Sequence, residues 1–436
     1  MTSSGLKIRD LAKKAVELLS KHNFARVYTH YDADGIAAGA IIAKSLLRAG
    51  KEFHLTFLKG LNDFEPETDG LQIFADMGSG YCELMSRIDA DVIVLDHHKP
   101  NGDINPKRSL VHVNPHLLGI DGTYEVSASG IAYLFAKELG NNKDLSSIAI
   151  LGAIGDKQKF VGINAEILEE SSSSGCAEVK PGLYLPSGKL SKALKMSLEP
   201  YLDFYKKEEE LESFLKKLGL DGDKEVNELN FNETQKLADA IVLRLLKIGA
   251  YEGVFEQIVG RKILLKNLPL QNAISLVDVI NSCGRAGEMS TALSILLGDQ
   301  KALKVGIEIS EKFTVEILEQ LAKCRSEVRE GFCIRYLILD DAISTSPIAT
   351  ILSRYLMPDK PIVVINIKKD GKVKVSARTT EKIAKKLDLA EVMRLSALRV
   401  GGVGGGHRVA AGANIEKGKV EEFLKEVDRL CCAMLA

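Results

Sequence analysis

The sequence predicts an α/β fold with a parallel sheet in its N-terminal part, and three observations support this. Short apolar and β-branched runs recur between residues 24 and 113. Helix-like segments, some rich in small residues, separate these runs. Several runs end in aspartate or histidine, at the strand ends where open parallel sheets bind ligands. Strand, acidic turn and helix in this order is typical of βαβ units, so these polar side chains should meet along one sheet edge.

The composition is that of a soluble globular protein of two or three domains. The chain has 436 residues, 45% hydrophobic and 27% charged, with a formal net charge of -1, so it has no global basic field to attract polyanions. Its seven cysteines form no Cys-x-x-Cys pair, which argues against a zinc ribbon and a secreted disulfide framework. Signal and membrane-spanning patterns are absent from the sequence. We therefore expect a cytoplasmic protein without membrane contact.

The N-terminal elements are predicted in chain order. A helix over residues 6–22 comes first, and a small-residue helix follows Gly35. Later helices run from Ser127 or Ser129 to Glu138 and from about Leu145 into Gly152. The predicted strands are Phe24–Thr29, His54–Leu58, Leu71–Asp76, Ala90–Leu95 and Leu110–Asn114.

The pattern changes after residue 170. Residues 171–188 are rich in Ser, Pro and Gly and predict a loop or linker, and residues 198–260 are helical and charged. Asn232 and Gln235 resemble a capping box. A second α/β unit begins near residue 290, with a last helix from about Gly418 to Cys432. Its predicted strands are Lys304–Ile309, Arg335–Leu339, Pro361–Ile367 and Lys372–Ala377.

The polar residues at the element ends form the candidate chemical site. They are Asp32, Asp34, Asp76, Asp96, His97, His98 and Asp156. An aspartate at such a junction is commonly an N-cap, and for Asp76 alone that interpretation is favoured. Four separate sites make coincidence the weaker explanation. Crowded aspartates repel one another, and since few basic residues adjoin them, divalent cations are the simplest resolution. Carboxylates with histidine suit Mn²⁺, with Mg²⁺ as the alternative.

Two such ions, roughly 3.5–4 Å apart and bridged by one carboxylate, would activate water and stabilise the leaving oxygen of a phosphoryl transfer. Asp76 is the candidate bridge, and Asp32 and Asp34 could each reach a different ion. The glycine-rich stretch Gly401–Gly412 is either a flexible loop or a backbone cradle for phosphate, with His407 and Arg408 as contacts. It is not a Walker loop, because no Gly-Lys-Ser/Thr follows.

These motifs together resemble those of the DHH phosphoesterase superfamily. The matching motifs are His-x-Asp-x-Asp-Gly at 30–35, Asp76, Asp-His-His at 96–98 and Gly-x-x-Gly-Asp at 152–156, with Ser-Ala-Arg at 376–378 and Gly-Gly-Gly-His at 404–407 for the DHH-associated substrate domain. The sequence looks most similar to archaeal RecJ-like exonucleases, including the GINS-associated nuclease, which the segment Asn281–Arg285 also resembles. The resemblance implies a DHH catalytic domain over residues 1–170, a linker and helical insertion over 171–290, and a smaller α/β DHH-associated domain over 291–436.

The resemblance also implies a role for each site residue. Two Mn²⁺ ions would be held by His30, Asp32, Asp34, Asp76, His97 and Asp156. Asp96 would orient His97, and His98 would contact the scissile phosphate. The substrate would be held by Arg285, Ser376, Arg378, Gly405, Gly406 and His407. Because all four catalytic motifs are intact, an enzyme is favoured over a purely structural role.

The implied function is a two-metal exonuclease that hydrolyses single-stranded DNA or RNA processively from one end, in DNA replication or repair. The helical insertion at 198–260 is, by resemblance, the candidate docking surface for a GINS complex. The alternative is an oligoribonuclease or a small-nucleotide phosphodiesterase acting on dinucleotides or nucleoside bisphosphates. The insertion argues against that alternative, because minimal enzymes of this type lack one. Cleavage polarity and the choice between DNA and RNA stay open.

Overall fold

A wholly parallel sheet organises the N-terminal part of the chain. The computed structural model describes residues 3–61, 64–65 and 67–436. The first strands are β1 Phe24–His30, β2 Glu52–Leu58, β3 Leu71–Ala75, β4 Val92–Leu95 and β5 Leu110–Val113. They lie in the order β2-β1-β3-β4-β5, with each neighbouring pair parallel. Every residue of β3 and β4 is buried, which is why these strands are apolar in sequence except for Gln72 of β3.

Helices accompany this sheet, as an α/β fold requires. They are α1 Ser3–Ser20, α2 Ala33–Arg48, α3 Cys82–Arg87, α4 Ala128–Leu139, α5 Ser146–Gly155 and α6 Gly162–Ser173. The small residues of α2 are buried where it packs against α4 and α5. This arrangement confirms the predicted N-terminal parallel α/β domain.

The strand order creates a switch point between β1 and β3. The chain runs from β1 to β2 on one side and then crosses to β3 on the other. In open parallel sheets, ligands bind outside the carboxyl ends of the strands at such a point. The residues that directly follow β1, β3, β4 and β5 all lie along this edge.

Two short strands flank the helical segment that follows. The elements are β6 Ala177–Leu183, α7 Leu190–Met196, α8 Glu208–Leu218, α9 Phe231–Ile248 and β7 Val259–Leu265, with β6 and β7 paired. The loop predicted for 171–188 is therefore wrong. Pro181 lies within β6, where a two-stranded ribbon tolerates a residue that lacks an N–H donor. The capping box of α9 consists of Asn230 and Glu233, two residues before the predicted pair Asn232 and Gln235.

The C-terminal elements include a six-stranded mixed sheet. In chain order they are α10 Ala273–Ala286, α11 Met289–Leu297, α12 Gln300–Cys324, β8 Arg329–Glu330, β9 Arg335–Asp340, α13 Ser346–Ile351, β10 Ile362–Ile367, β11 Lys372–Arg378, α14 Glu381–Ala384, α15 Leu389–Arg399, β12 Val403–Gly406, β13 Ala410–Glu416 and α16 Val420–Leu435. The strand order is β12-β13-β11-β10-β9-β8, with β9 and β10 parallel and the other pairs antiparallel. The last three predicted strands and the final helix are confirmed.

The predicted strand Lys304–Ile309 is wrong, because these residues belong to the long helix α12. Asp299 starts this helix by accepting hydrogen bonds from the N–H groups of Lys301 and Ala302, at 2.7 and 3.2 Å. Buried positions then recur at helical spacing (Leu303, Phe313, Ile317 and Leu321). The alternating apolar and polar residues around Val305 therefore lie on a helix and not on a strand.

The chain forms two compact units that are not continuous in sequence. One comprises residues 1–180 and 262–310, and the other comprises 181–261 and 311–436. Each unit has its own buried apolar core. The three-part division at residues 170 and 290 stays a prediction. Within the second unit a disulfide joins Cys333 to Cys432, a pairing that the sequence did not predict. No helix in the described parts of the chain has the length and apolar character needed to cross a membrane.

Candidate active site

The end of β1 and the short loop that leads into α2 present two facing polar side chains, His30 and Asp32. Asp32 is the N-cap of α2, and its Oδ1 accepts a hydrogen bond from the N–H of Gly35 at 3.1 Å. Its Oδ2 lies 2.9 Å from His30 Nδ1. Burial alone would raise the pKa of Asp32, but the charge of His30 holds it well below its usual range. The pKa of His30 is raised well above normal, because Asp32 and Asp76 outweigh its burial. Asp32 thus acts as a helix cap and also carries a negative charge into the site.

Asp34 lies in the first turn of α2 and is fully buried against the N-terminus of α4. Its two oxygens accept hydrogen bonds from the N–H groups of Ala128 and Ser129, at 2.7 and 3.0 Å. Burial, together with the charges of Asp156 and Asp76, raises the pKa of Asp34 to about 8. Without a cation nearby, this carboxyl group is therefore mostly protonated at neutral pH. A bound cation would favour the ionised form.

Two glycines allow α5 to approach this carboxylate. A Cβ at Gly152 would lie only 2.2 Å from Asp34 Oδ1, and one at Gly155 would lie 2.7 Å from the Cβ of Ala33. Neither distance is sterically acceptable. The helix can therefore carry Asp156, which follows its last residue, to the site because both positions lack a side chain. This explains the spacing of the Gly-x-x-Gly-Asp motif.

Asp76 directly follows β3 and occupies the centre of the cluster. Its backbone is left-handed, with φ 58°, a conformation that aspartate adopts more readily than most residues. Its Oδ2 lies 3.5 Å from His30 Nδ1, and its Oδ1 lies 3.4 Å from His97 Nε2 and 3.8 Å from His98 Nδ1. The two carboxylate oxygens thus face different groups. Within the described residues, the buried Oδ1 has no hydrogen bond of acceptable geometry.

His97 is surrounded by three carboxylates. Its Nε2 lies 3.1 Å from Asp156 Oδ2, 3.4 Å from Asp76 Oδ1 and 3.9 Å from Asp34 Oδ2. Burial would lower the pKa of His97, but the nearby carboxylates of Asp156 and Asp76 raise it well above its ordinary value. Like Asp76 Oδ1, Nε2 makes no hydrogen bond of acceptable geometry in the described part of the chain.

Asp96 contacts His98 rather than His97, which corrects the predicted role of Asp96. Its Oδ1 lies 2.8 Å from His98 Nδ1, and its Oδ2 accepts a hydrogen bond from the N–H of Ser79 at 2.8 Å. The carboxylate raises the pKa of His98 to about 9, against the effect of burial. His97 is instead held by the backbone oxygen of Gly122, at 2.7 Å from Nδ1. Consecutive residues point in different directions here, so each histidine has its own orienting partner.

The structure adds three polar residues that the sequence interpretation missed. The hydroxyl oxygen of Ser79 lies 2.8 Å from His112 Nε2 and accepts a hydrogen bond from Asn114 Nδ2 at 2.8 Å. Asn114 Nδ2 also donates to the backbone oxygen of His98 at 2.8 Å. These contacts support the loop that carries Asp96 and His98. Asn114 directly follows β5, so the strand-end rule that identified Asp76 could have found it.

The donor set fits divalent cations. At this edge of the sheet, three groups of described residues have ligand atoms within 4.8 Å of one another: His30, Asp32 and Asp76; Asp34, His97 and Asp156; and Asp76, His97 and His98. Carboxylate oxygens and imidazole nitrogens are ligands that Mn²⁺ accepts, and oxygen-rich sets also suit Mg²⁺. The buried Asp76 Oδ1 and His97 Nε2, which lack good hydrogen bonds among the described residues, are the atoms that such a cation would satisfy.

Arg285 lies on α10, in a segment that packs against the loop after β1. Asn281 Oδ1 accepts a hydrogen bond from the N–H of Ala33 at 3.0 Å. A Cβ at Gly284 would lie 1.9 Å from the backbone oxygen of Tyr31, so glycine is required at this crossing. The Asn-Ser-Cys-Gly-Arg segment therefore packs against the start of α2 and supports it.

The other predicted substrate residues belong to the second compact unit. Ser376 and Arg378 lie on β11, where Ser376 Oγ is 2.7 Å from Thr345 Oγ and Arg378 donates to Ser346 Oγ at 2.5 Å. The glycine-rich stretch is a β-hairpin rather than a flexible loop: Gly405 and Gly406 lie on β12, and His407 is in its turn. Arg408 donates to the backbone oxygen of Ala384 at 2.8 Å, which is a structural contact. Arg378 pairs with Ala410 in register, next to that turn.

A parallel α/β domain with a histidine–aspartate cluster at its carboxyl edge, and a separate mixed-sheet unit, define the class of protein. Residues 25–155 match the DHH family N-terminal domain, and residues 330–432 match the DHHA1 domain. An uncharacterized protein of Methanocaldococcus jannaschii is 32% identical over 97% of this chain and 98% of its own length. The chain belongs to the DHH superfamily and is RecJ-like.

Two further proteins are similar over shorter stretches or in fold. The single-stranded-DNA-specific exonuclease RecJ of Thermus thermophilus is 26% identical over 62% of this chain, which spans 42% of that protein. The crystal structure of that RecJ with Mn²⁺ has a TM-score of 0.61 at 19% identity, covering 98% of this chain and 55% of the other. The structure of CDC45 from Entamoeba histolytica also gives 0.61, at 13% identity, covering 98% and 97%. At these identities the structural likeness concerns the fold.

Proposed function

We propose that this protein is a metal-dependent phosphodiester hydrolase of the RecJ-like type, an exonuclease that removes nucleotides from an end of single-stranded DNA or RNA. The observation that carries the proposal is Asp76, whose two oxygens face different groups of ligand atoms while Oδ1 lacks a good hydrogen bond within the described residues. A carboxylate in this position suits a pair of divalent cations. The name of the Thermus thermophilus relative supports the substrate class.

The proposed ligands are His30, Asp32, Asp34, Asp76, His97 and Asp156, holding two Mn²⁺ ions, with Mg²⁺ as the alternative. When bound, such ions lower the pKa of a coordinated water and neutralise charge on the phosphoryl oxygens. His98, which carries a positive charge at neutral pH because Asp96 raises its pKa to about 9, would contact a non-bridging phosphate oxygen. Asp96 holds that imidazole in place. Arg285, Ser376, Arg378, Gly405, Gly406 and His407 are proposed to hold the rest of the strand.

Hydrolysis assays with substrates of different length test this proposal. We expect Mn²⁺-dependent release of nucleotides from end-labelled single-stranded DNA or RNA 20-mers, with much weaker activity on duplexes. Asp34→Ala should abolish this activity, and so should Asp96→Ala. Rapid cleavage of dinucleotides or nucleoside bisphosphates with none on the 20-mers would favour the small-nucleotide phosphodiesterase instead. Undiminished cleavage by both variants would contradict the metal assignment.

A role in DNA replication or repair through a GINS complex is part of the same proposal and rests on the family resemblance. The candidate surface is α9, which exposes Phe231, Leu243 and Leu246. The opposite face of α9 lies in the core of its unit, through Leu237 and Ile241. Deleting residues 198–260 would therefore disrupt that core, and a double substitution is the sharper test.

We expect the protein to co-purify with GINS from the same organism, and Leu243→Glu combined with Leu246→Glu to abolish this. The matched control is Lys236→Glu with Lys247→Glu, which changes exposed charges on the same helix. Binding that survives the leucine substitutions would place the contact elsewhere. No co-purification by the wild-type protein would remove GINS from the proposal and leave the nuclease assignment standing.

A further inference from the structure

The ring of His97 is held from behind by a backbone carbonyl. Its Nδ1 lies 2.7 Å from the oxygen of Gly122, and a carbonyl oxygen can only accept, so Nδ1 must carry the hydrogen. A neutral imidazole has one N–H, which leaves the lone pair on Nε2, the atom that faces the carboxylates. A Cβ at Gly122 would lie 2.2 Å from the backbone oxygen of His97. Only glycine therefore lets this carbonyl approach the ring.

Gln158 holds the same carbonyl from the other side. Its Nε2 donates to the oxygen of Gly122 at 2.8 Å and to that of Val126 at 3.2 Å, and it lies 3.1 Å from His97 Nδ1. The residue is 8% exposed. A carbonyl oxygen has two lone pairs, so Gln158 and His97 can both donate to it. The position of this oxygen, and with it the rotation of the imidazole, thus depends on Gln158.

Asn164 determines which end of the Gln158 amide faces the carbonyl. Its Nδ2 donates to the backbone oxygen of Lys159 at 3.1 Å and to Gln158 Oε1 at 2.7 Å. The Lys159 oxygen only accepts, which fixes the orientation of the Asn164 amide. Gln158 must then present its oxygen to Asn164 and its N–H groups to Gly122 and Val126. The donor directions agree along the whole series of contacts.

We propose that Gln158 and Asn164 are positioning residues that fix the carbonyl of Gly122 and thereby keep a hydrogen on Nδ1 of His97, so that loss of the other ring proton leaves the Nε2 lone pair to a divalent cation. This inference rests on the proposed function, since the tautomer matters when a divalent cation binds Nε2. Removing the hydrogen-bond partner behind a metal-binding histidine typically weakens metal affinity by about 10- to 100-fold. The effect should appear in cation binding itself and not only in turnover.

The test is Gln158→Met, which keeps the length of the side chain and removes its donors. The matched control is Asn142→Leu. Asn142 is another buried amide, which lies beyond the C-terminal end of α4 and donates to the backbone oxygen of Ala136. We expect Gln158→Met to raise the Kd for Mn²⁺, measured by calorimetry and by the electron paramagnetic resonance of free Mn²⁺, by about 10- to 100-fold. Asn142→Leu should lower the Tm and leave that Kd unchanged.

A second variant keeps the inference testable if Gln158→Met does not fold. Asn164→Asp replaces the donor to Gln158 with an acceptor, and it should raise the Kd for Mn²⁺ while Mg²⁺-bound protein labelled with ¹⁵N-histidine loses the Nδ1–H signature of His97. If the wild-type protein binds Mn²⁺ and both variants have a Kd within about twofold of the wild-type value, this inference is overturned. The proposed function would then remain intact. If the wild-type protein bound no divalent cation, the proposed function would fail, and this inference would fail with it.

Discussion

The two edges of the N-terminal sheet use the same residue types in opposite ways. At the amino edge, His22 Nε2 lies 2.9 Å from Asp91 Oδ2, and Asp91 Oδ1 accepts a hydrogen bond from the N–H of Ser109 at 3.0 Å. One histidine thus meets one carboxylate, and both carboxylate oxygens have a partner. At the carboxyl edge, His97 meets three carboxylates, and the Oδ1 of Asp76 has no good hydrogen bond among the described residues.

The pKa values reflect this difference. Burial alone would raise the pKa of Asp91, but the hydrogen bonds from His22 and Ser109 lower it below its usual value. For Asp34, burial and the neighbouring carboxylates act together and raise the pKa to about 8. A balanced pair contributes to stability, whereas a crowded cluster costs stability unless cations fill it. The comparison therefore separates a structural histidine–aspartate contact from the proposed metal site within a single sheet.

The largest expected effect comes from replacing Asp76, the proposed shared ligand of the two cations. We expect Asp76→Asn to lower kcat/KM on labelled single-stranded DNA by about 1000-fold or more, since the amide has no negative charge to hold two cations. The same change should weaken Mn²⁺ binding, as measured by calorimetry. Asn also tolerates the left-handed backbone at this position, so the fold should be retained.

Asp91→Asn is the matched control at the opposite edge. It should keep kcat/KM within about twofold and lower the free energy of unfolding by about 1 kcal/mol, because one partly exposed hydrogen bond to a histidine is weakened. Urea denaturation measures this change. If Asp76→Asn were as active as Asp91→Asn, the distinction between the two edges would be wrong.

Much of the fold and part of the site could be predicted from the sequence, for identifiable reasons. Buried parallel strands such as β4 are continuous apolar runs, and a charged residue after such a run, as at Asp96, marks the strand end. The predicted strand over Lys304–Ile309 failed because its residues alternate as in a strand, whereas the cap at Asp299 and the packing of α12 select the helix. The cap is a local signal in the sequence, but the alternation outweighed it.

The hydrogen-bonding partners inside the site could not be predicted. Gln158 and Gly122 contact His97 although they lie 61 and 25 positions from it in the sequence. Both are uncharged residues outside the motifs that indicate the site. Which histidine contacts Asp96 depends on the direction of each side chain after β4. That direction is set by the tertiary contacts of the loop.

The smallest expected effect is the pH dependence of Mn²⁺ binding, which should again differ between the two edges of the sheet. Asp34, with a pKa of about 8 in the metal-free protein, binds a proton at neutral pH that a cation must displace. The affinity for Mn²⁺ should therefore rise about tenfold per pH unit for each displaced proton between about pH 6 and 8, and His97, whose pKa is also raised, adds a second proton. Above about pH 8 the contribution of Asp34 disappears, because the group is already ionised.

Calorimetry in two buffers of different ionisation enthalpy counts the protons released on Mn²⁺ binding. We expect between one and two protons at neutral pH for the wild-type protein. The Asp91→Asn variant should release the same number of protons. In the wild-type protein the pKa of Asp91 is lowered, so this carboxylate is ionised before and after cation binding and contributes no proton. Binding without proton release would contradict the protonated state of Asp34. A changed proton count in Asp91→Asn would show that the two edges of the sheet are coupled.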